Sequence, residues 1–255
     1  MPAQTHSSPR GGKWPVIAAW LGIILLILAG LLMGLAGPAY RAEWIGLGTS
    51  FGMLRQGAQV ALGAAALGLI TLVISGRSRR WRPAVVGLLV SLAVFFMIAI
   101  PMEMKHKAQT VPPIHDITTD MENPPTFVLL AAAREEAPNA VDYPGEDTAT
   151  LQLAAYPELK PIVLDGSLAS AMDAAKAVLQ VRKWELAGTT ENTLEATATT
   201  RWFGFKDDVV IRMTETPAGV QVDMRSASRV GKSDLGANAV RIQAFLEDLA
   251  RNSAL

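Results

Sequence analysis

The chain has no cysteine, only three histidines in 255 residues, and an aromatic share of 6%. The first absence removes disulfides, cysteine-ligated zinc, iron–sulfur clusters and thiol nucleophiles together. It fits an oxidising or a reducing compartment, since a domain without thiols has nothing to mispair. Charge is scarce too, at 18%, against about 25% in ordinary soluble domains. The scarcity is uneven: residues 1–102 hold one acidic residue, Glu43, and eight Lys or Arg, whereas residues 103–255 hold 22 acidic and 15 basic residues. A net charge of zero therefore conceals +7 in the first part and −7 in the second. That surplus of carboxylates repels phosphodiesters, so nucleic acid is not an expected partner.

What is abundant is apolar: half the residues are hydrophobic and the mean hydropathy is +0.27. The long uncharged runs lie before residue 100, at 15–37, 57–75 and 83–100. Crossing about 30 Å of hydrocarbon at 1.5 Å per residue takes some 20 residues, so the three runs predict three transmembrane spans. The first is longer than the apolar core of a secretory signal and is followed by further spans, so it is expected to be retained. Residues 1–102 thus read as a membrane anchor, with the lipid bilayer as its partner. Gly57, Ala61, Ala64, Ala65 and Gly68 either let helices approach closely or reflect ordinary membrane composition.

Orientation follows from Lys and Arg. Three spans place Arg10, Lys13, Arg77, Arg79, Arg80 and Arg82 on one side, and Arg41, Arg55, Lys105 and Lys107 on the other. The arginines at 77–82 fall in a very short loop, where the positive-inside rule counts most. The expectation is a multi-pass protein of the cytoplasmic (inner) membrane, its N-terminus cytoplasmic and its C-terminal domain extracytoplasmic, that is, periplasmic. Trp14, Trp44 and Trp81 sit near span ends, where amphipathic rings favour the headgroup layer.

Residues 103–255 read as a soluble α+β domain with a proline-rich lead-in at 106–161. Eight prolines there limit regular structure, leaving a short apolar run at 127–133 and a helix near 147–155. After Pro161 the pattern sharpens. Ser167 caps a helix whose Leu168, Met172, Ala175, Val178 and Leu179 form one stripe. Alternation of period two then recurs at 194–202, 208–214 and 220–225, which predicts an antiparallel meander with one face packed and one wet. A last helix at about 235–251 presents Leu235, Ala239, Ile242, Phe245, Leu246 and Leu249. The architecture expected is three transmembrane helices followed by a four- to five-stranded antiparallel sheet, the fifth strand coming from 160–164, with helices packed on one face.

Four stretches, IHDITTDMENPPTF (114–127), AAYPELKP (154–161), EATATTRWFGFKDDVVIR (195–212) and DMRSASRVGKSDLGANAVRI (223–242), carry a likeness. Together they resemble the bacterial family catalogued as Domain of Unknown Function 1499 over most of residues 110–250. The resemblance implies that the proline-rich segment is an ordered part of the domain, and it implies no activity.

The stretch with most chemistry is RSASRVGKSDLGAN, 225–238. A basic loop opening a helix is a ready anion site, with Arg225, Arg229, Lys232, Ser233 and Asn238 as candidate ligands. It is not a phosphate-binding loop, because that pattern needs glycine where Ser226 stands. The alternative is that Ser233 or Asp234 caps the helix while Arg225 and Arg229 pair with carboxylates such as Asp208 and Asp223. Glu195, Arg201, Asp208, Arg212, Asp223 and Arg225 are expected on the wet face, as a charge ladder or a ligand cleft. His115, Asp116 and Asp120 could hold a hard metal in a hydrolase, or merely form turns. Asp207 and Asp208 point to opposite faces and cannot act as a dyad unless a bulge turns one round. No GxSxG occurs. With no catalytic constellation and no cofactor motif, the sequence favours a non-catalytic role with an envelope protein partner, ahead of an anion receptor and a metal-dependent hydrolase.

Overall fold

A computed structural model describes residues 12–253; Arg10 and His6 lie outside them. It divides into two compact units, the first running to Met104 and the second beginning at Lys105.

The first unit holds α1 (Trp14–Arg41), α2 (Leu47–Arg77) and α3 (Trp81–Thr110) as far as Met104. All three are long and apolar enough to cross a membrane. Each extends past the uncharged run that announced it, to 28, 31 and 30 residues. Helices of that length measure about 42–46 Å, close to the thickness of a bilayer with its headgroups. Between lipid-facing helices the hydrophobic effect is silent and close fit holds them together. The seam of α2 is accordingly small: Ser50, Gly57, Ala61, Ala64, Gly68, Thr71 and Ser75 are its buried residues. A Cβ on Gly68 would stand 2.8 Å from the Gly87 carbonyl oxygen, and one on Gly87 only 2.4 Å from that of Gly68. Backbone meets backbone there, so of the two readings of the small residues the close approach holds.

The second unit has the order β1 (Asp116–Thr118), α4 (Ala131–Glu135), α5 (Glu146–Ala155), β2 (Ile162–Leu164), α6 (Leu168–Arg182), β3 (Glu185–Thr189), β4 (Thr193–Thr199), β5 (Lys206–Thr216), β6 (Gly219–Ser228) and α7 (Ala237–Ser253). The sheet is antiparallel in the order β1-β6-β5-β4-β3, with β2 also paired to β6. It has six strands rather than four to five: β2 is the fifth strand expected at 160–164, and β1 is the addition, the two lying end to end along β6 on residues 220–222 and 225–227. A strand of three residues inside a proline-rich stretch has too short an alternation to be read from sequence.

One face carries α6 and α7. Its core joins Leu194, Ala196, Val209, Ile211, Met213, Val222 and Met224 of the sheet to Met172, Val178, Leu179, Ile242, Phe245 and Leu249 of the helices. Ser167 caps α6 through a capping box with Ser170. Trp184 stacks on Phe245 with ring centroids 5.6 Å apart. Leu235 falls outside α7, in a left-handed conformation just before Gly236.

The opposite face is not wet, and this corrects the expected pattern. The proline-rich segment folds over it: Phe127 and Leu130 pack with Val210, Ala227 and Val141. Glu195, Asp208, Asp223 and Arg225 are buried, and Arg212 is partly so. Arg201 has left the sheet for the exposed β4–β5 turn. Alternation of period two records which residues are polar; it does not record whether water or protein meets them.

Candidate functional site

The covered face is built from charge. Arg225 on β6 donates Nε to Asp116 Oδ1 at 2.9 Å and Nη2 to Asp116 Oδ2 at 2.7 Å, and both side chains are 1% exposed. Its Nη1 and Nη2 also reach the carbonyls of Pro125 and Val141. On β5, Asp208 accepts from Arg134 at 3.1 Å, from Arg229 at 2.8 and 2.9 Å, and from the Thr197 hydroxyl at 2.7 Å. Between the two arginines lies Phe127, with the guanidinium carbons of Arg134 and Arg225 at 4.7 and 4.8 Å from its ring centroid. A desolvated cation over an aromatic ring contributes about 2 kcal/mol. Burial lowers the pKa of Arg134, against the pull of Asp208, while the hydrogen bond to Asp208 raises that of Arg229. The Tyr143 ring lies 5.6 Å from the Arg225 guanidinium, and burial pushes its phenol up to about 12.

Glu195 on β4 does the work of an anion at a helix start. Its carboxylate accepts the N–H groups of Val128, Leu129 and Leu130 at 2.7, 3.1 and 2.8 Å, immediately before α4. Gln152 on α5 treats the outer strand similarly, accepting from the Thr118 N–H and donating to the Thr118 carbonyl. Arg212 pairs with its cross-strand neighbour Asp223 at 3.3 Å and with Asp120 at 2.8 Å.

The five candidate anion ligands do not converge on an opening. Arg225 is closed in by Asp116, and Arg229 grips Asp208 through Nε and Nη2. The Ser233 hydroxyl accepts from the Leu235 N–H. Asn238 is fully buried, accepting from Ser226 and Arg241 and donating to the His115 carbonyl and the Ser228 hydroxyl. Lys232 is exposed. The start of α7 already holds an anion of its own: Asp234 accepts from the N–H groups of Gly236 and Asn238 at 2.8 and 2.7 Å, and burial raises its pKa. The capping alternative thus describes Asp234 and Arg229; Arg225 chose Asp116 over Asp208 and Asp223.

Asp116 and Asp120 are likewise occupied, whereas Nδ1 of His115 is buried without a hydrogen-bond partner. Asp120 Oδ1 accepts from the N–H groups of Glu122 and Asn123, which makes a turn, and its other oxygen takes Arg212. Among the described residues no three His, Cys, Asp or Glu side chains gather as a metal ion would need. Asp207 and Asp208 do face opposite ways, Asp207 pairing with Arg241 of α7 at 2.5 Å on the helix side. A groove of about 330 Å³ runs beside α7, lined by Tyr156, Pro157, Glu158, Val240 and Gln243 among others, and none of the buried arginines reaches it.

Sequence reasoning missed Phe127 as a ring for two cations, and it missed Arg134, Gln152 and the three N–H groups that donate to Glu195. The one signal for them was the density of apolar residues around 127–133, too great for a segment that never packs.

Residues 116–249 match the family described as Protein of unknown function (DUF1499). A search among curated proteins finds no match to the chain.

Proposed function

The chain belongs to that family, and on this premise we propose that it is a membrane-anchored, non-catalytic protein with a binding or structural role in the cell envelope. Its C-terminal unit stands on the extracytoplasmic side of the cytoplasmic membrane, opposite the arginines at 77–82. The observation that carries the non-catalytic reading is how the polar groups are spent. A catalytic acid, base or nucleophile must keep a hydrogen-bonding site or a tuned proton open toward a substrate. Here Asp116, Asp208 and Glu195 each face arginines or backbone N–H groups of the same chain, and the proline-rich segment covers them. What the unit offers is a firm outer surface tethered to lipid.

Two measurements on the full chain test this. A reporter active only outside the cytosol, fused after Leu255, should give signal, and a reporter active only inside the cytosol should be silent; the reverse would refute the placement. Site-specific photocrosslinkers on the exposed surface should yield a discrete adduct with an envelope component, and a surface that crosslinks to nothing in native membranes would count against a partner. For an anion receptor at 225–238 the discriminating variant is Arg229→Ala with Lys232→Ala. Loss of a phosphate-induced thermal shift would favour the receptor, and an unchanged shift would dismiss it.

A further inference from the structure

One end of the sheet collects features that the covered face leaves unused. Strand register brings them together. Asp116 pairs with Ala227, Asp207 with Ser228 and Thr199 with Lys206. The start of β1, the end of β6 and the β4–β5 turn at 200–205 therefore lie at the same end. β1 and β5 both flank β6, so they stand about 10 Å apart. The chain reaches β1 from the end of α3 through positions 111–115, at most about 17 Å of extended backbone.

The turn is aromatic. Trp202, 41% exposed, meets Phe203 edge-on, and Phe203 stacks on Phe205 at 4.7 Å, so the exposed indole rests on a packed base. Exposed cations surround it. Arg201 and Lys206 flank the turn, Lys232 follows β6, and Lys183 precedes β3, whose Glu185 pairs with Thr197 at this end. Glu185 is an exposed acid here, as are Glu135 and Glu136, on the segment whose Asn139 bonds the carbonyls of Ser228 and Arg229. At the other end the connections at 165–167, 190–192 and 214–219 carry Asp165, Glu191 and Glu215 and no Lys or Arg. The unit's net charge is −6 over residues 105–255, yet it presents exposed Lys183, Lys206 and Lys232 together at one end of its sheet.

Indole rings prefer the headgroup layer, and Lys and Arg reach lipid phosphates from beside it. We propose that this end is a membrane foot, with Trp202 seated in the headgroups of an anionic phospholipid surface and Lys206, Lys232 and Lys183 on its phosphates. The foot depends on anchorage by α1 to α3, whichever side of the membrane the unit occupies.

The chain lacks cysteine, so Trp202→Cys provides a unique thiol for a nitrobenzoxadiazole label, and Ala218→Cys does so at the exposed far end. The labelled full chain is reconstituted in phosphatidylcholine vesicles containing doxyl-phosphatidylcholine, with or without phosphatidylglycerol. The foot predicts strong quenching at 202 with phosphatidylglycerol present and little at 218. Lys206→Glu or Lys232→Glu should weaken contact at least about fivefold per basic residue lost. Quenching at 202 no greater than at 218 overturns the foot, and equal quenching without phosphatidylglycerol overturns its anionic partner. A label unquenched in vesicles yet shielded in native membranes gives this end to a protein instead.

Discussion

The two faces of the sheet are covered in opposite ways. On one, α6 and α7 bring helices whose backbones are bonded internally, and the layer between is apolar: Leu194, Ile211, Met213 and Met224 against Val178, Ile242, Phe245 and Leu249. On the other, a proline-rich segment brings a backbone that, outside the short α4 and α5, is not bonded to itself in helices, and the layer is full of charge. Glu195 takes three N–H groups of that segment, Arg225 donates to the carbonyls of Pro125 and Val141, Arg134 to that of Ala140, and Arg212 to that of Asn123. Buried peptide groups must be paired. An irregular cover therefore demands polar side chains from the surface beneath it, and a helical cover does not. The buried ions of this unit follow from what lies on top of them.

The comparison can be broken by substitutions on each face, read from urea-dependent hydrogen exchange in the full chain. Asp116→Ala leaves Arg225 charged, buried and unpaired, and should cost about 3–5 kcal/mol, with exchange rising first around 125–143. Phe245→Ala on the helix face should cost about as much, 3–5 kcal/mol, yet loosen α7 first and spare the amides of Val128 to Leu130. Equal loosening of both faces by either change would merge them into one layer. Phe127→Leu keeps most of the apolar volume and loses both cation–π contacts, so at about 2 kcal/mol for each its expected cost is about 4 kcal/mol.

The smallest effect concerns pH, at the polar exception to the helix face. Burial holds the Asp234 carboxyl above its ordinary 3.8. The contribution of such a group to stability is fully present below the unfolded value and is lost as pH rises through the higher folded value. Asp234→Asn keeps an acceptor for the α7 N–H groups and cannot titrate. The wild-type chain should therefore gain on the variant as pH falls through that window, measured as the difference in urea midpoint. A difference that is flat with pH would place Asp234 in water.

The helix face was legible because its code is redundant. The stripe Met172, Ala175, Val178 and Leu179, the Ser167 cap, and the alternation along β4, β5 and β6 each report burial independently. The matched family reaches into the proline-rich segment, so its order was expected from the resemblance, but where it lies was not. The coil face was illegible because a Glu that binds three amides and a Glu in water look alike in sequence. Arg134, in AAARE, shows the difficulty: nothing near it marks an arginine that will lie at 0% exposure against Asp208. The same limit applies to the candidate loop at 225–238. Its Arg225 and Arg229 meet the chain's own Asp116 and Asp208, and Asp234 takes the N–H groups at the start of α7, while Lys232 stays exposed.

The most direct test of the account is amide exchange at Val128, Leu129 and Leu130 in the wild-type chain and in Glu195→Gln. If Glu195 serves the backbone of the cover, these three amides are protected in the wild type, and the substitution speeds their exchange roughly tenfold while the β4 and β5 amides keep their protection. Unchanged exchange at the three positions would contradict it.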